Sequence, residues 1–256
     1  MNGVEWAKAR LAETVAAFAL LTRLPVGLIP IPWTRELRHA TWAYPLAGAA
    51  VGLIGGVTYW IVHGLGVPPT LAAIFAILAM ILATGALHED GLVDAADGLG
   101  GKSPEDRLAI MRDHRIGTYG AIALVLSLGI RISAIALLSQ SLLVIGALIA
   151  SGTASRASAT ALMAAQPHAR DDGLSVAAGR ASTGDAVAAF ALAFAIGWLS
   201  LSFGESLAVS LAALLASTVV GLLAASRLGG QTGDVLGAAC QLGECAGLTL
   251  IVALAS

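Results

Sequence analysis

The sequence predicts an all-α protein: a polytopic membrane helix bundle of about seven spans, with six as the alternative count, preceded by an N-terminal interfacial amphipathic helix. Three observations predict it. The 256 residues are 57% hydrophobic and only 12% charged, half of the roughly 25% charge usual for a soluble domain, and mean hydropathy is +0.85. Seven runs, 41–62, 70–87, 118–138, 142–165, 185–203, 206–225 and 234–255, approach the about 20 apolar residues a membrane helix needs. Positive charge falls in every second connection: Lys and Arg number five in 1–40, four in 88–117, two in 166–184 and one in 226–233, against none in 63–69, 139–141 and 204–205. Under the positive-inside rule the N-terminus and the charged connections lie in the cytoplasm, which suits seven spans in the inner membrane of a prokaryote with an outward C-terminus.

The same composition excludes other classes. A formal net charge of -2 gives no basic surplus for nucleic acid. Cys240 and Cys245 are the chain's two cysteines, too few for a disulfide framework or a zinc site. Neither a solenoid repeat nor a linker longer than about thirty residues interrupts the chain, so 1–256 reads as one integral membrane domain.

Within 1–40, Glu5, Lys8, Arg10, Glu13, Arg23, Arg35, Glu36 and Arg38 recur too often for a cleavable signal peptide. Trp6, Leu11, Val15, Phe18, Ala19 and Thr22 instead recur at helical spacing opposite Glu5, Lys8 and Glu13, the pattern of a helix lying on the membrane surface. It should end at Leu24-Pro25, and Pro30 and Pro32 then impose an extended connector. Trp42 and Tyr44 at one end of the first span, with Tyr59 and Trp60 at the other, stand where interfacial aromatic anchors belong. The segment 234–255 begins with Asp234, Gln241 and Glu244, which leaves a re-entrant or functionally lined helix open.

Chemistry concentrates after the second run. Glu89, Asp90, Asp94 and Asp97 place four of the chain's 16 carboxylates within nine residues, interleaved with Gly, Ala, Leu and Val and without a Lys partner. If the preceding span continues as helix, Asp90, Asp94 and Asp97 share one face. Oxygen ligands at a membrane edge suit Mg2+ or Mn2+, which keep several waters and bridge to substrate phosphates. The bland alternative is a solvated acidic loop. His88 beside them reads as a ligand, a general base or an interfacial polar residue. Ser103-Pro104-Glu105-Asp106 then forms a capped helix start, and that helix should carry Arg107, Met111, Arg112, Asp113, His114 and Arg115 as far as Gly117. Lys102, Arg107, Arg112 and Arg115 can hold phosphate near the acids, although the positive-inside rule alone also accounts for them.

Two arginines fall inside spans, where a charge costs about 2.5–3.5 kcal/mol or more and so must face the bundle interior. Arg156 stands among Ser151, Gly152, Thr153, Ser155 and Ser158, small enough for a polar site, and reads as a substrate-phosphate contact. Arg131 reads as a structural pair. A third polar group comprises Asp234, Gln241 and Glu244, on one helix face at seven- and three-residue spacing. Asp234 is alternatively just an N-cap. This group starts on the same cytoplasmic side as the acids, so the two sites should meet around one ligand.

The run His88-Glu89-Asp90-Gly91-Leu92-Val93-Asp94-Ala95-Ala96-Asp97-Gly98, with Pro104-Glu105-Asp106-Arg107, Met111-Arg112-Asp113 and Arg115-Ile116-Gly117-Thr118-Tyr119-Gly120, resembles the cobalamin synthase family, the adenosylcobinamide-GDP ribazoletransferases. Phe18 to Pro25, Ser155-Arg156 and Thr232 to Ala238 extend the resemblance over nearly the whole chain, while Gln241 stands where that family is often acidic. The resemblance implies that alpha-ribazole or its 5'-phosphate displaces GMP from adenosylcobinamide-GDP with Mg2+. It implies a metal set of Glu89, Asp90, Asp94 and Asp97, catalytic roles for His88, Asp94 and Asp97, and substrate contacts from Arg112, Arg115, Arg156, Asp234, Gln241 and Glu244. Two rival readings are weaker. CDP-alcohol phosphotransferases continue their aspartate motif through Ala-Arg, whereas Asp97-Gly98 here is followed by Leu99-Gly100-Gly101-Lys102. An ion or solute transporter lined by Arg131, Arg156, Asp234 and Glu244 should show inverted repeats, and none is evident.

Overall fold

The structure, a computed structural model, describes residues 3–26, 37–113 and 115–255. Among these it is a helix bundle, with an isolated His168–Gln231 bridge as its sole extended pairing. The first helix, α1 (Gly3–Leu21), precedes a 3-10 turn (Leu37–Ala43) that runs directly into α2 (Tyr44–Gly64). Next come α3 (Pro69–Thr84), α4 (Leu87–Gly98), the short α5 (Pro104–Ile110), α6 (Thr118–Leu138) and α7 (Ser141–Ala165). A single turn, α8 (Leu174–Ala178), leads to α9 (Thr183–Ser200), α10 (Phe203–Leu228) and α11 (Gly233–Ala255). The connector predicted around Pro30 and Pro32 lies outside the described residues.

Among the described residues, six helical stretches are long and apolar enough to cross a membrane: Leu37–Gly64, Thr118–Leu138, Ser141–Ala165, Thr183–Ser200, Phe203–Leu228 and Gly233–Ala255. The count becomes seven when α3 and α4 are taken together. With 16 residues, α3 alone rises about 24 Å, less than the about 30 Å of a bilayer core. The segment from Asp234 onward is one unbroken helix of 23 residues rather than a re-entrant pair.

Two sequence expectations change here. The second run does not continue as helix into the acidic motif. Gly85 (φ 65°) and Ala86 (φ 61°) adopt the left-handed conformation in succession, and α4 leaves α3 at 89°. Glycine accepts that conformation freely and alanine does not, so the bend is held by its surroundings: Ala86 donates to Ile81, and Arg23 donates to the Ala83 carbonyl at 2.7 Å. In addition, Glu13, expected on the polar face of α1, is buried. It accepts from Arg10 and from the Trp42 indole, both at 2.8 Å, and so pins α1 to the 3-10 turn. Trp6 and Leu11 of the apolar stripe remain exposed.

Serine caps start the later helices where the residue patterns call for them. Ser103 accepts from the Asp106 amide, while Ser182 with Asp185 and Ser202 with Glu205 form reciprocal capping boxes. Helix α7 is buried along most of its length and packs against α2, α9, α10 and α11. Across the bundle α4 crosses α11 where Gly91 meets Gly237. A Cβ on Gly91 would lie 3.0 Å from the Asp234 carbonyl oxygen and 3.1 Å from the Gly237 Cα. That close approach brings the acidic helix against the start of α11. Gly91→Val should therefore cost about 1–3 kcal/mol, read as a lower thermal midpoint in detergent. Gly64→Ala, with nothing within 4 Å, should leave the midpoint unchanged, and an unchanged midpoint for Gly91→Val contradicts the crossing.

Candidate active site

Three aspartates project from one face of α4, but they do not share one task. Asp97 turns toward the start of α6, where its Oδ2 accepts from the Gly117 amide at 2.7 Å and its Oδ1 from the Gly120 amide at 2.8 Å. A Cβ on either glycine would collide with this carboxylate, so the Gly117-Thr118-Tyr119-Gly120 stretch is shaped around it. Asp97 thus supplies the cap that α6 lacks from its own N-terminal residue.

Glu89, Asp90 and Asp94 line a cavity of about 470 Å³, together with Arg112, Asp113, Arg115 and Arg170. Helix α5 ends at Ile110 instead of running to Gly117. Its last turn tightens, with Arg112 donating to Ala109 and Asp113 to Ile110, so the two arginines reach the cavity from a loop. His114 lies outside the described residues. Arg112 pairs with Asp172 at 2.6 Å and Arg115 with Asp113 at 2.6 Å, and the Asp113 carboxylate raises the Arg115 pKa above its ordinary value.

A smaller space of about 110 Å³ adjoins it, lined by His88, Arg156, Asp234, Tyr44 and several apolar side chains. Asp90 and Arg170 line both. Arg170 is placed by the chain on either side of the single bridge: Ala169 donates to the Gln231 carbonyl and Gln231 to that of Pro167, both at 2.9 Å. Its guanidinium lies 3.4 Å from Asp234 and 3.7 Å from Asp172, and its buried Nε and Nη1 have no hydrogen-bond partner among the described residues. Thr232, rather than Asp234, caps α11 by accepting from the Val235 amide, which leaves Asp234 facing the cavity.

Behind these walls lies a buried ionic chain. Arg131 donates to Glu89 at 3.0 Å and to Glu244 at 3.3 Å, and Arg156 donates to the other oxygen of Glu244. Gln241 donates to Glu89 at 3.0 Å and accepts from Ser127 at 3.2 Å. Two arginines meet two glutamates, so the assembly is formally neutral, as a buried ionic group must be. Gln241 and Glu244, expected as substrate contacts, therefore have their polar atoms engaged by protein and line neither cavity. They position Glu89 and Arg156 instead. Arg156 Nη2 stands 3.4 Å from Nδ1 of His88. A guanidinium only donates, so Nδ1 is the acceptor and the neutral imidazole carries its proton on Nε2.

Among the described residues no three His, Cys, Asp or Glu side chains converge tightly enough to enclose a metal ion unaided. Mg2+ asks less, because one or two carboxylates together with substrate phosphates and water complete its shell. Asp90 and Asp94 present oxygen donors of that kind to the cavity. The Oε2 atom of Glu89, buried and without a hydrogen-bond partner among the described residues, adds a further oxygen donor. Asp97 lines neither cavity, and each of its oxygens accepts from a glycine amide.

The profile of the cobalamin-5-phosphate synthase family matches residues 13–252. The chain belongs to that family. Curated relatives named adenosylcobinamide-GDP ribazoletransferase support the assignment. The protein of Bradyrhizobium diazoefficiens is 46% identical over 99% of this chain and 97% of its own length. That of Mesorhizobium japonicum is 42% identical over 96% and 95%, and that of Brucella canis 39% identical over 95% and 98%. No solved structure matches.

Sequence reasoning missed Arg170, Asp172 and Tyr44. Arg170 counted only as a topogenic charge, because the Arg170-Asp171-Asp172-Gly173 stretch reads as a solvated loop; the pairing of Pro167–Ala169 with Gln231 that aims it inward leaves no local signal. The two kinds of carboxylate should separate in stability. Glu244→Leu leaves two buried guanidinium groups short of a counter-charge and should cost about 3–5 kcal/mol, whereas Asp97→Ala removes a helix cap and should cost about 1 kcal/mol. Denaturant unfolding in mixed micelles checks this, and equal losses contradict the assignment.

Proposed function

We propose that this chain transfers alpha-ribazole, or its 5'-phosphate, to adenosylcobinamide-GDP with release of GMP, giving adenosylcobalamin or its 5'-phosphate, at the cytoplasmic face of the inner membrane. The observation that carries the reading is the convergence of Glu89, Asp90 and Asp94 with Arg112, Arg115 and Arg170 on one cavity. Carboxylates of that kind suit a phosphate-bridging cation, and arginines suit the phosphates themselves. The positive connections beside this cavity support its cytoplasmic orientation.

In the reaction a ribazole hydroxyl oxygen bonds to the phosphorus attached to cobinamide, and the bond from that phosphorus to the GMP oxygen breaks. Asp90 and Asp94, with Oε2 of Glu89, would hold Mg2+ or Mn2+. When bound, the cation neutralises the pyrophosphate and stabilises charge on departing GMP. Arg112 and Arg115 grip the phosphates from the loop after α5, and Arg170 does so from the opposite wall. Arg156, fixed by Glu244, approaches from the adjoining space.

The apolar side chains of that smaller space, Leu20, Leu21, Leu87, Met163 and Leu236 among them, suit the aromatic base of ribazole. Asp234, at its edge, takes the hydroxyl proton. His88 already accepts from Arg156 through Nδ1, so it orients a substrate oxygen by donating from Nε2 rather than serving as the base.

Purified protein in detergent, supplied with adenosylcobinamide-GDP, alpha-ribazole and Mg2+, should release GMP and form cobalamin. Chelation should abolish turnover and added Mg2+ restore it. Asp90→Ala and Asp94→Ala should each lower kcat by about 100-fold or more, as expected when transition-state charge loses a stabilising partner, while Asp97→Asn should retain most of it. Full activity in both alanine variants overturns the metal assignment, and absence of GMP release from the folded wild type overturns the reaction.

A further inference from the structure

A groove distinct from the two cavities above runs between α4, α5, α6, α10 and α11 and encloses about 380 Å³. Leu92, Ala96, Ala123, Val220, Val235 and Leu242 are among its walls, and it is lined by two arginines and no acid. From Val235 to Cys245 along α11 it extends over ten residues, about 15 Å at about 1.5 Å per residue, or one leaflet of a roughly 30 Å hydrocarbon core. Its rim is open sideways, since Leu99, Leu126, Ile130 and Leu223 are exposed. Both arginines stand at the end beside the acidic motif. Arg227 lies in the last turn of α10. Arg107 is 8% exposed and donates to the Arg227 carbonyl at 3.3 Å, yet its buried Nε has no hydrogen-bond partner among the described residues. Buried guanidinium nitrogens ordinarily find an acceptor.

From this combination we infer that the groove binds an anionic glycerophospholipid. One acyl chain lies along α6 and α11, and the headgroup phosphate sits at Arg107 and Arg227. A leaflet-deep apolar channel that opens laterally admits an acyl chain from the bilayer, and the unsatisfied Arg107 donor at its mouth selects a negatively charged headgroup. A free phosphate would fill the mouth but leave the channel empty. Because Leu92, Ala95, Ala96 and Gly98 form one wall, the lipid also buttresses the helix that carries Asp90 and Asp94.

The test counts lipid by native mass spectrometry on the purified full chain in a neutral detergent, titrated with phosphatidylglycerol or phosphatidylcholine of matched chains. One phosphatidylglycerol should bind more tightly than phosphatidylcholine, by about five-fold for each arginine engaged. Arg227→Gln should shrink that preference by about five-fold. Ala123→Trp should fill the channel and abolish the tight equivalent, and Leu126→Trp, at an exposed rim position, provides the same block without touching the interior. Equal binding of the two lipids by the wild type overturns the proposal. So does unchanged phosphatidylglycerol binding in the folded tryptophan variants, including the case in which they instead raise KM for the corrinoid substrate, which would make the groove a substrate wall. The lipid count does not depend on turnover, so it fails or succeeds separately from the transferase reading.

Discussion

The buried chain Glu89–Arg131–Glu244–Arg156 is the constraint on which the rest of the bundle depends. It joins α4, α6, α11 and α7 through charge-assisted hydrogen bonds in a region where each of the four charges alone would be prohibitively costly. Two positive and two negative groups cancel, so removing any one of them leaves a buried charge uncompensated. That requirement fixes the rotation of α4 about its own axis. With Glu89 turned inward to Arg131 and Gln241, Asp90 and Asp94 must face the cavity.

A second constraint is backbone shape. The left-handed pair at Gly85 and Ala86 turns α4 nearly at right angles to α3, so the acidic helix lies across the end of the bundle instead of extending a span. The Gly91–Gly237 crossing then holds it against α11, which brings Asp234 to the same space as Asp90. Asp97 completes the arrangement by capping α6, the helix that delivers Arg131. The acidic motif therefore divides its labour: one glutamate is tied into the ionic core, two aspartates face the cavity, and one aspartate holds a neighbouring helix.

Much of this was legible in the residues. The spans stand out because a run of about 20 apolar residues matches the thickness of a bilayer core and is best solvated by lipid, and the predicted limits of α6, 118–138, coincide with those observed. The meeting of the acids with Asp234 followed from topology alone. Four features were not legible, each for a physical reason. The sharp bend at Gly85-Ala86 is only half signalled: Gly85 is an ordinary left-handed helix stop, but alanine is the best of helix formers, and only its surroundings hold Ala86 in the same conformation. Helical periodicity places Asp97 beside Asp94 but cannot reveal that two glycine amides about twenty residues onward claim its oxygens. Spacing likewise puts Gln241 and Glu244 on the face of Asp234, yet whether a buried polar side chain faces ligand or protein depends on partners from other helices. Arg170 was hidden for the converse reason, since the pairing that aims it inward joins segments about sixty residues apart in the chain.

The proposed chemistry rests on Asp90 and Asp94 presenting oxygen to a cation that bridges the substrate's phosphates. The most direct measurement is electron paramagnetic resonance of Mn2+ titrated into the purified protein with adenosylcobinamide-GDP present. The expected result is one substrate-dependent Mn2+ per chain, lost in the Asp90→Asn/Asp94→Asn double variant and kept in Asp97→Asn. Undiminished Mn2+ binding in the folded double variant would contradict it.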